Sequence, residues 1–216
     1  RSYVGEKSRR MQMRRKNLEN RKEKEIEEKE KLLKNIEKEE KLQMQFLHHE
    51  KEVLIRAEGL NVRYGEKQVC NNVDFVLKQK DCLVLEGKNG SGKSSILKRI
   101  LGEKTEGDGT LFLASGLKIS YVPQDTGGLY GGMESFINKR ELDKTLFFQF
   151  LRKFDFSREA FDRRLEELSE GQKKKILLAA SLCEQAHLYI WDEPLNYIGI
   201  YTRMQLEKLI LSYRPT

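Results

Sequence analysis

The stretch "GKNGSGKSS", Gly87 to Ser95, limits what this chain can fold into more than any other. It fits the pattern G-x-x-x-x-G-K-[ST] at Gly87, Gly92, Lys93 and Ser94. An apolar run, "CLVLE" (82–86), precedes it and a helix-like segment follows, so the spacing predicts strand, tight loop, then helix. Loop glycines let main-chain N–H groups turn inward around phosphate oxygens, and a helix N-terminus adds partial positive charge. Lys93 is placed to reach the β- and γ-phosphates of a nucleoside triphosphate, and Ser94 to ligate Mg²⁺. Lys88, Asn89, Gly90, Ser91 and Ser95 complete the expected phosphate cradle.

A second element answers the first. "LYIWDE" is an apolar run that ends in two carboxylates. A buried strand of this kind delivers Asp192 to a magnesium ion beside the phosphate loop and leaves Glu193 to polarise an attacking water. Between the two lies "LSEGQ" (168–172), at the start of a helix. Ser169 and the main chain around Gly171 can present donors to an anion there, or Ser169 can simply cap the helix; local physics does not choose.

Charge divides the chain into two regions. Residues 1–22 hold nine basic side chains (Arg1, Lys7, Arg9, Arg10, Arg14, Arg15, Lys16, Arg21 and Lys22) against Glu6 and Glu19. That excess equals the +7 net charge of all 216 residues, so the remainder balances. A basic end of this kind points to a polyanion partner, or to a merely solvated helical face. Residues 1–51 contain no proline, and from Glu6 to Leu47 the apolar residues Met11, Leu18, Ile26, Leu32, Leu33, Ile36, Met44 and Leu47 fall on one narrow stripe. The pattern predicts one charged helix roughly 60 Å long. A single stripe buries against about one partner helix, expected upstream of Arg1, or against a second copy in a coiled coil.

From residue 52 short strands and turns take over: 53–57, 72–77 and 82–86, a helix at 94–101, then "LFLA" and "KISYVP". A helix from Gly171, the strand "LYIW" and the helix "YTRMQLEKLILSY" complete the series. Strands alternating with helices predict an α/β fold with a mixed, partly parallel sheet. Cys70, Cys82 and Cys183 are too far apart for a disulfide framework and read as reduced core thiols. His48, His49 and His187 fit no metal spacing. The longest apolar run, 176–183, is far short of a bilayer span, and no secretory signal is visible.

The order of phosphate loop, "LSEGQ" and "DEP" resembles the nucleotide-binding domain of the ABC ATPase superfamily. The resemblance implies ATP and Mg²⁺ as ligands. It makes Tyr64 the aromatic that stacks on adenine and Gln124 in "YVPQD" the glutamine that reaches magnesium and the attacking water. Ser169, Gly171 and Gln172 become a signature that binds the γ-phosphate held by an opposing domain. A charged arm directly before such a domain is similar to the ABC-F proteins, twin-domain translation factors whose helical linker enters the ribosome. "YVGEKSRRMQMRRK", "EEKEKLLKNIE" and "WDEPLNYI" resemble the branch that protects ribosomes from lincosamides, streptogramin A and pleuromutilins. On that likeness residues 1–51 are a second linker helix and 52–216 a second ATPase domain. The partners are rRNA, P-site tRNA and a missing N-terminal ATPase domain, with no transmembrane domain and a cytoplasmic location. Lys7, Arg10, Arg14, Arg15 and Arg21 are the expected RNA-contacting residues.

Two departures from that pattern stand out. Gly199 occupies the place of an aspartate that helps couple the two domains. The chain also ends at Thr216, before the strand and the histidine expected at the γ-phosphate, and His187 lies on the wrong side of Asp192 to replace it. The intact parent is expected to hydrolyse ATP and the 216-residue chain to turn over little or none. Two rival readings are a translation factor of the same fold without a resistance role and the ATPase subunit of a transporter. A coiled-coil DNA-repair ATPase is disfavoured, because only 75 residues separate Lys93 from Ser169, without a heptad run.

Overall fold

A computed structural model describes residues 46–213, 215 and 216, all within one compact unit, Gln43–Thr216. The long basic helix expected before residue 46 lies outside the described residues. Phe46 and Leu47, expected at its end, are not helical; the Leu47 N–H donates to the Ala186 carbonyl at 2.9 Å.

The first strand, β1 (Val53–Tyr64), turns tightly at Gly65 into β2 (Lys67–Lys78), with Tyr64 opposite Lys67. Both strands run further than the apolar pattern suggested, because the alternation continues through "GLNVRY" on β1. The helix α1 (Lys93–Ile100) follows, then β3 (Thr110–Leu113), which pairs antiparallel with β1. The resulting sheet has the order β2-β1-β3. Leu54, Ile55, Ala57 and Leu60 of β1 are buried with Ile96 and Ile100 of α1.

A second, parallel pair joins β4 (Ile119–Val122) to β5 (Leu188–Trp191). Between them the chain forms α2 (Met133–Lys139), α3 (Lys144–Lys153), two short 3₁₀ turns and α4 (Glu170–Cys183). The helix α5 (Ile200–Tyr213) comes last. Helices α2 and α3 form a layer that sequence reading passed over. Asp143 caps α3, its carboxylate accepting from the Leu146 N–H at 2.8 Å, and Phe147, Phe150, Leu151 and Phe154 are buried. Helix α4 is buried all round from Ile176 to Leu182, with Ser181 as its polar member, which fits its place between α3 and β4. The α/β class and the partly parallel sheet are as expected. The three-stranded sheet is antiparallel throughout, so among the described residues parallel pairing is confined to β4 and β5.

One expected strand is absent. Residues 82–86 form no ladder, and Leu83 and Val84 are exposed at 45% and 67%. A continuous apolar run is stable as a central strand only with neighbours on both sides. Here the segment faces β5 across a cavity of about 380 Å³. One end of that gap holds Thr216, whose carbonyl accepts from the Tyr189 N–H at 2.7 Å and whose hydroxyl accepts from the Lys80 N–H at 2.5 Å. The core-thiol reading fails for Cys82, which belongs to this segment and is exposed, whereas Cys70 and Cys183 are half-buried.

Candidate functional site: a phosphate loop beside two carboxylates

The parallel register sets the site. Val122 pairs with Trp191, and the Asp192 N–H donates to the Val122 carbonyl at 2.9 Å. The residues just beyond the two strand ends therefore emerge side by side. Gln124 Nε2 donates to Glu193 Oε2 at 2.9 Å, and Asn196 Nδ2 donates to the same oxygen at 2.5 Å. Glu193 holds a left-handed φ of 48°, a conformation costly for a side chain of its size, as is common where function fixes the main chain.

The phosphate loop reaches α1 through Gly92, at φ 92°. A Cβ there would stand 2.9 Å from the Val69 carbonyl oxygen of β2, so only glycine fits. Lys93 Nζ donates to the carbonyls of Gly87 (2.8 Å) and Lys88 (3.1 Å), folded over its own loop. Ser94 and Ser95 are half-buried, while Lys88, Asn89, Gly90 and Ser91 are exposed. Tyr64, half exposed, donates through its hydroxyl to Ser95 Oγ at 3.3 Å, which sets an open aromatic ring beside the start of α1. Lys93, Asp192 and Glu193 line the same cavity.

Asp192 is 5% exposed and lines the same cavity as Lys93 of the phosphate loop. A carboxylate held beside a phosphate loop fits a cation. No cluster of three or more His, Cys, Asp and Glu suited to a metal exists among the described residues. That donor set matches Mg²⁺, which is held by one or two carboxylates together with substrate phosphates rather than by a protein cage. Asp192, Ser94 and Gln124 would hold it. When bound there, the ion would supply positive charge to neutralise phosphate oxygens.

At the signature, Ser169 and Gln172 form a capping box. Ser169 Oγ accepts from the Gln172 N–H at 3.3 Å, and Gln172 Oε1 accepts from the Ser169 N–H at 3.0 Å. The capping reading is realised, with Ser169 and Glu170 still exposed to solvent. Helix α4 starts at Glu170, one residue earlier than expected. Gly171 packs on the loop after Glu193: an added Cβ would lie 2.4 Å from the Tyr197 carbonyl oxygen. Gly199 has open space around its Cβ position, and its carbonyl accepts from the Arg203 N–H at the start of α5. His187 sits at the opposite end of β5 from Asp192, edge-on to His49, and its Nδ1 accepts from the Lys118 N–H at 2.9 Å. Lys7, Arg10, Arg14, Arg15 and Arg21 lie outside the described residues.

Sequence reasoning missed Asn196, Thr126 and Lys174. Thr126 donates to Glu170 Oε2, and the buried Lys174 spans the strand ends. Lys174 is the middle one of three successive lysines, 173 to 175, and no local signal separates it from its neighbours.

A phosphate loop opening a helix, with an acid pair at the end of the adjacent parallel strand, defines a P-loop nucleotide-binding domain. The chain belongs to the ABC transporter family of ATP-binding domains, whose family model matches residues 70–196. The ATP-binding protein Uup of Buchnera aphidicola subsp. Acyrthosiphon pisum is 29% identical over 76% of this chain. The zinc import ATP-binding protein ZnuC of Wigglesworthia glossinidia brevipalpis is 31% identical over 74%. The ribosome protection protein VmlR of Bacillus subtilis is 26% identical over 75%. The matched part spans 29% of Uup and 30% of VmlR but 70% of ZnuC. A solved structure described as an ATP binding subunit of an ABC transporter superposes with a TM-score of 0.61 at 23% identity, over 74% of this chain and 75% of that one. Family membership implies ATP as ligand and ATP hydrolysis as the general reaction.

Proposed function

We propose that this chain is part of an ABC-F ATPase that binds the ribosome and protects it from antibiotics of the peptidyl-transferase centre. Lys93 and the phosphate loop bind ATP, Asp192 with Ser94 and Gln124 holds Mg²⁺, and Tyr64 stacks on adenine. Glu193, steered by Gln124 and Asn196, activates the attacking water. Ser169, Gly171 and Gln172 meet the γ-phosphate of an opposing ATPase domain of the same protein. The observation that carries the ribosomal reading is charge: the whole net charge of +7 lies in residues 1–22, ahead of an ATPase domain that is otherwise balanced. That suits phosphate contacts to rRNA and P-site tRNA by Lys7, Arg10, Arg14, Arg15 and Arg21. The likeness to a ribosome protection protein supports it, and no helix among the described residues is long and apolar enough to cross a membrane.

The test is co-sedimentation. The full-length gene product carrying Glu193→Gln, held in its ATP state, pellets with ribosomes; if it stays in the supernatant, the ribosomal reading fails. A lower susceptibility to lincomycin or tiamulin on expression separates protection from a housekeeping role. The 31% identity to a zinc import ATPase favours a second reading, a transporter subunit. Detergent-dependent co-purification with a membrane protein would establish that instead.

A further inference from the structure

Lys174 is 1% exposed, and its ammonium donates to three main-chain carbonyls: Pro123 (2.8 Å), Asp192 (3.1 Å) and Gln124 (3.4 Å). A buried ammonium is tolerated only where such acceptors are aimed at it. These three belong to the ends of β4 and β5, the two places from which Gln124 and Glu193 emerge. One turn earlier on the same face of α4, Glu170 accepts from the Thr126 hydroxyl. The loop 123–126 is thus fastened to the signature helix at two points, four residues apart.

We propose that Lys174 is a positioning residue for the magnesium-binding and water-activating end of the site. Its ammonium fixes the main chain at Gln124 against that at Asp192, and so sets the Gln124–Glu193 pair. The Thr126–Glu170 bond ties the same loop to the helix end that presents Ser169 and Gly171. A shift of the signature helix therefore moves Gln124 relative to Asp192. Burial lowers the Lys174 pKa, while Asp192, Glu193 and Glu170 oppose that fall.

This inference rests on the assignment of Gln124, Asp192 and Ser94 to Mg²⁺. The test is a titration of the full-length protein with a fluorescent ATP analogue, with and without Mg²⁺. The readout is the ratio of the two affinities, which a general loss of folding would not move selectively. Lys174→Met keeps the length and removes the donors. It should reduce the Mg²⁺ enhancement about tenfold, the usual cost of losing a partner that orients a metal ligand, while the Mg²⁺-free affinity stays within about twofold. Lys174→Gln, which keeps an N–H donor, should recover part of the ratio. Equal losses with and without Mg²⁺, or an unchanged ratio, would overturn the proposal. If Lys174→Met shows no cooperative unfolding, Thr126→Val replaces it; an unchanged ratio there overturns the coupling just as well. A wild type that binds the analogue without any Mg²⁺ enhancement would instead remove the metal assignment itself, and this proposal with it.

Discussion

Replacing Gly171 by alanine tests the packing that joins the signature helix to the catalytic loop. The new Cβ would stand 2.4 Å from the Tyr197 carbonyl oxygen, so one of the two backbones must retreat by about 1 Å to reach ordinary contact. Both partners are main chain, and no side chain can swing aside. Alanine gains up to about 1 kcal/mol over glycine in a helix interior, and overpacking costs about 1–3 kcal/mol. The clash wins, with a net loss of about 1–2 kcal/mol. For a domain of this size that lowers the thermal midpoint by about 2–8 °C. Tyr197 follows Asn196, which bonds Glu193 at 2.5 Å, so ATP turnover by the full-length protein should fall by about tenfold to a hundredfold. Gly199→Ala is the control: its Cβ meets nothing within 4 Å, and it should change stability by less than about 1 kcal/mol. The pair is measured by thermal unfolding and steady-state ATPase assay. Identical behaviour of the two variants would show that α4 does not press on the Tyr197 carbonyl.

Further expectations are smaller in scope. Gly199→Asp places an acid at an open position where the carbonyl accepts the first bond of α5, so it should raise stability by a few tenths of a kcal/mol as a helix cap; a marked loss by thermal unfolding would contradict this. Burial pushes the Cys183 thiol up to about 12, so at pH 8 a maleimide should label the exposed Cys82 well before Cys183 in the native protein, and the reverse order in peptide mapping would refute that burial. His187 has its pKa lowered, by burial first and then by His49 and Lys118. The unfolded chain then binds more protons, so stability is full above about pH 6.5 and declines as pH falls toward the folded pKa. His187→Asn should flatten that slope in denaturant titrations. Changing Arg10, Arg14 and Arg15 together to alanine should weaken ribosome binding and make its salt dependence shallower by about 0.7–0.9 per lost phosphate contact; an unchanged slope would take those residues off the RNA.

Part of this was legible in the sequence because the local signals were strong. The phosphate-loop helix falls within one residue of its expected place, and "LYIW" is the strand that carries Asp192 and Glu193. Gln124, which the likeness named, stands just beyond the end of β4 and donates to Glu193 at 2.9 Å. Residues 82–86 read as a strand for equally good local reasons and are not one, because an apolar run carries no information on whether a neighbour pairs with it. The lysines at 173, 174 and 175 look alike in sequence, yet helical phase sends them to different fates. Lys173 reaches Glu170, Lys174 turns inward to the strand ends, and Lys175 donates to the Asp155 carbonyl at 2.9 Å. Only the folded position of α4 against β4 and β5 distinguishes them. The α2–α3 layer was passed over although Asp143 and the phenylalanines at 147, 150 and 154 mark one capped, half-buried helix.

The assignment of Glu193 as the base that activates water, steered by Gln124 and placed beside a magnesium-holding Asp192, is tested most directly by single-turnover hydrolysis of bound ATP. Binding and cleavage should be read on the same sample of full-length protein. Glu193→Gln should bind ATP with Mg²⁺ as the wild type does and cleave it about 10²–10⁴-fold more slowly. Cleavage at the wild-type rate with binding intact would contradict the assignment.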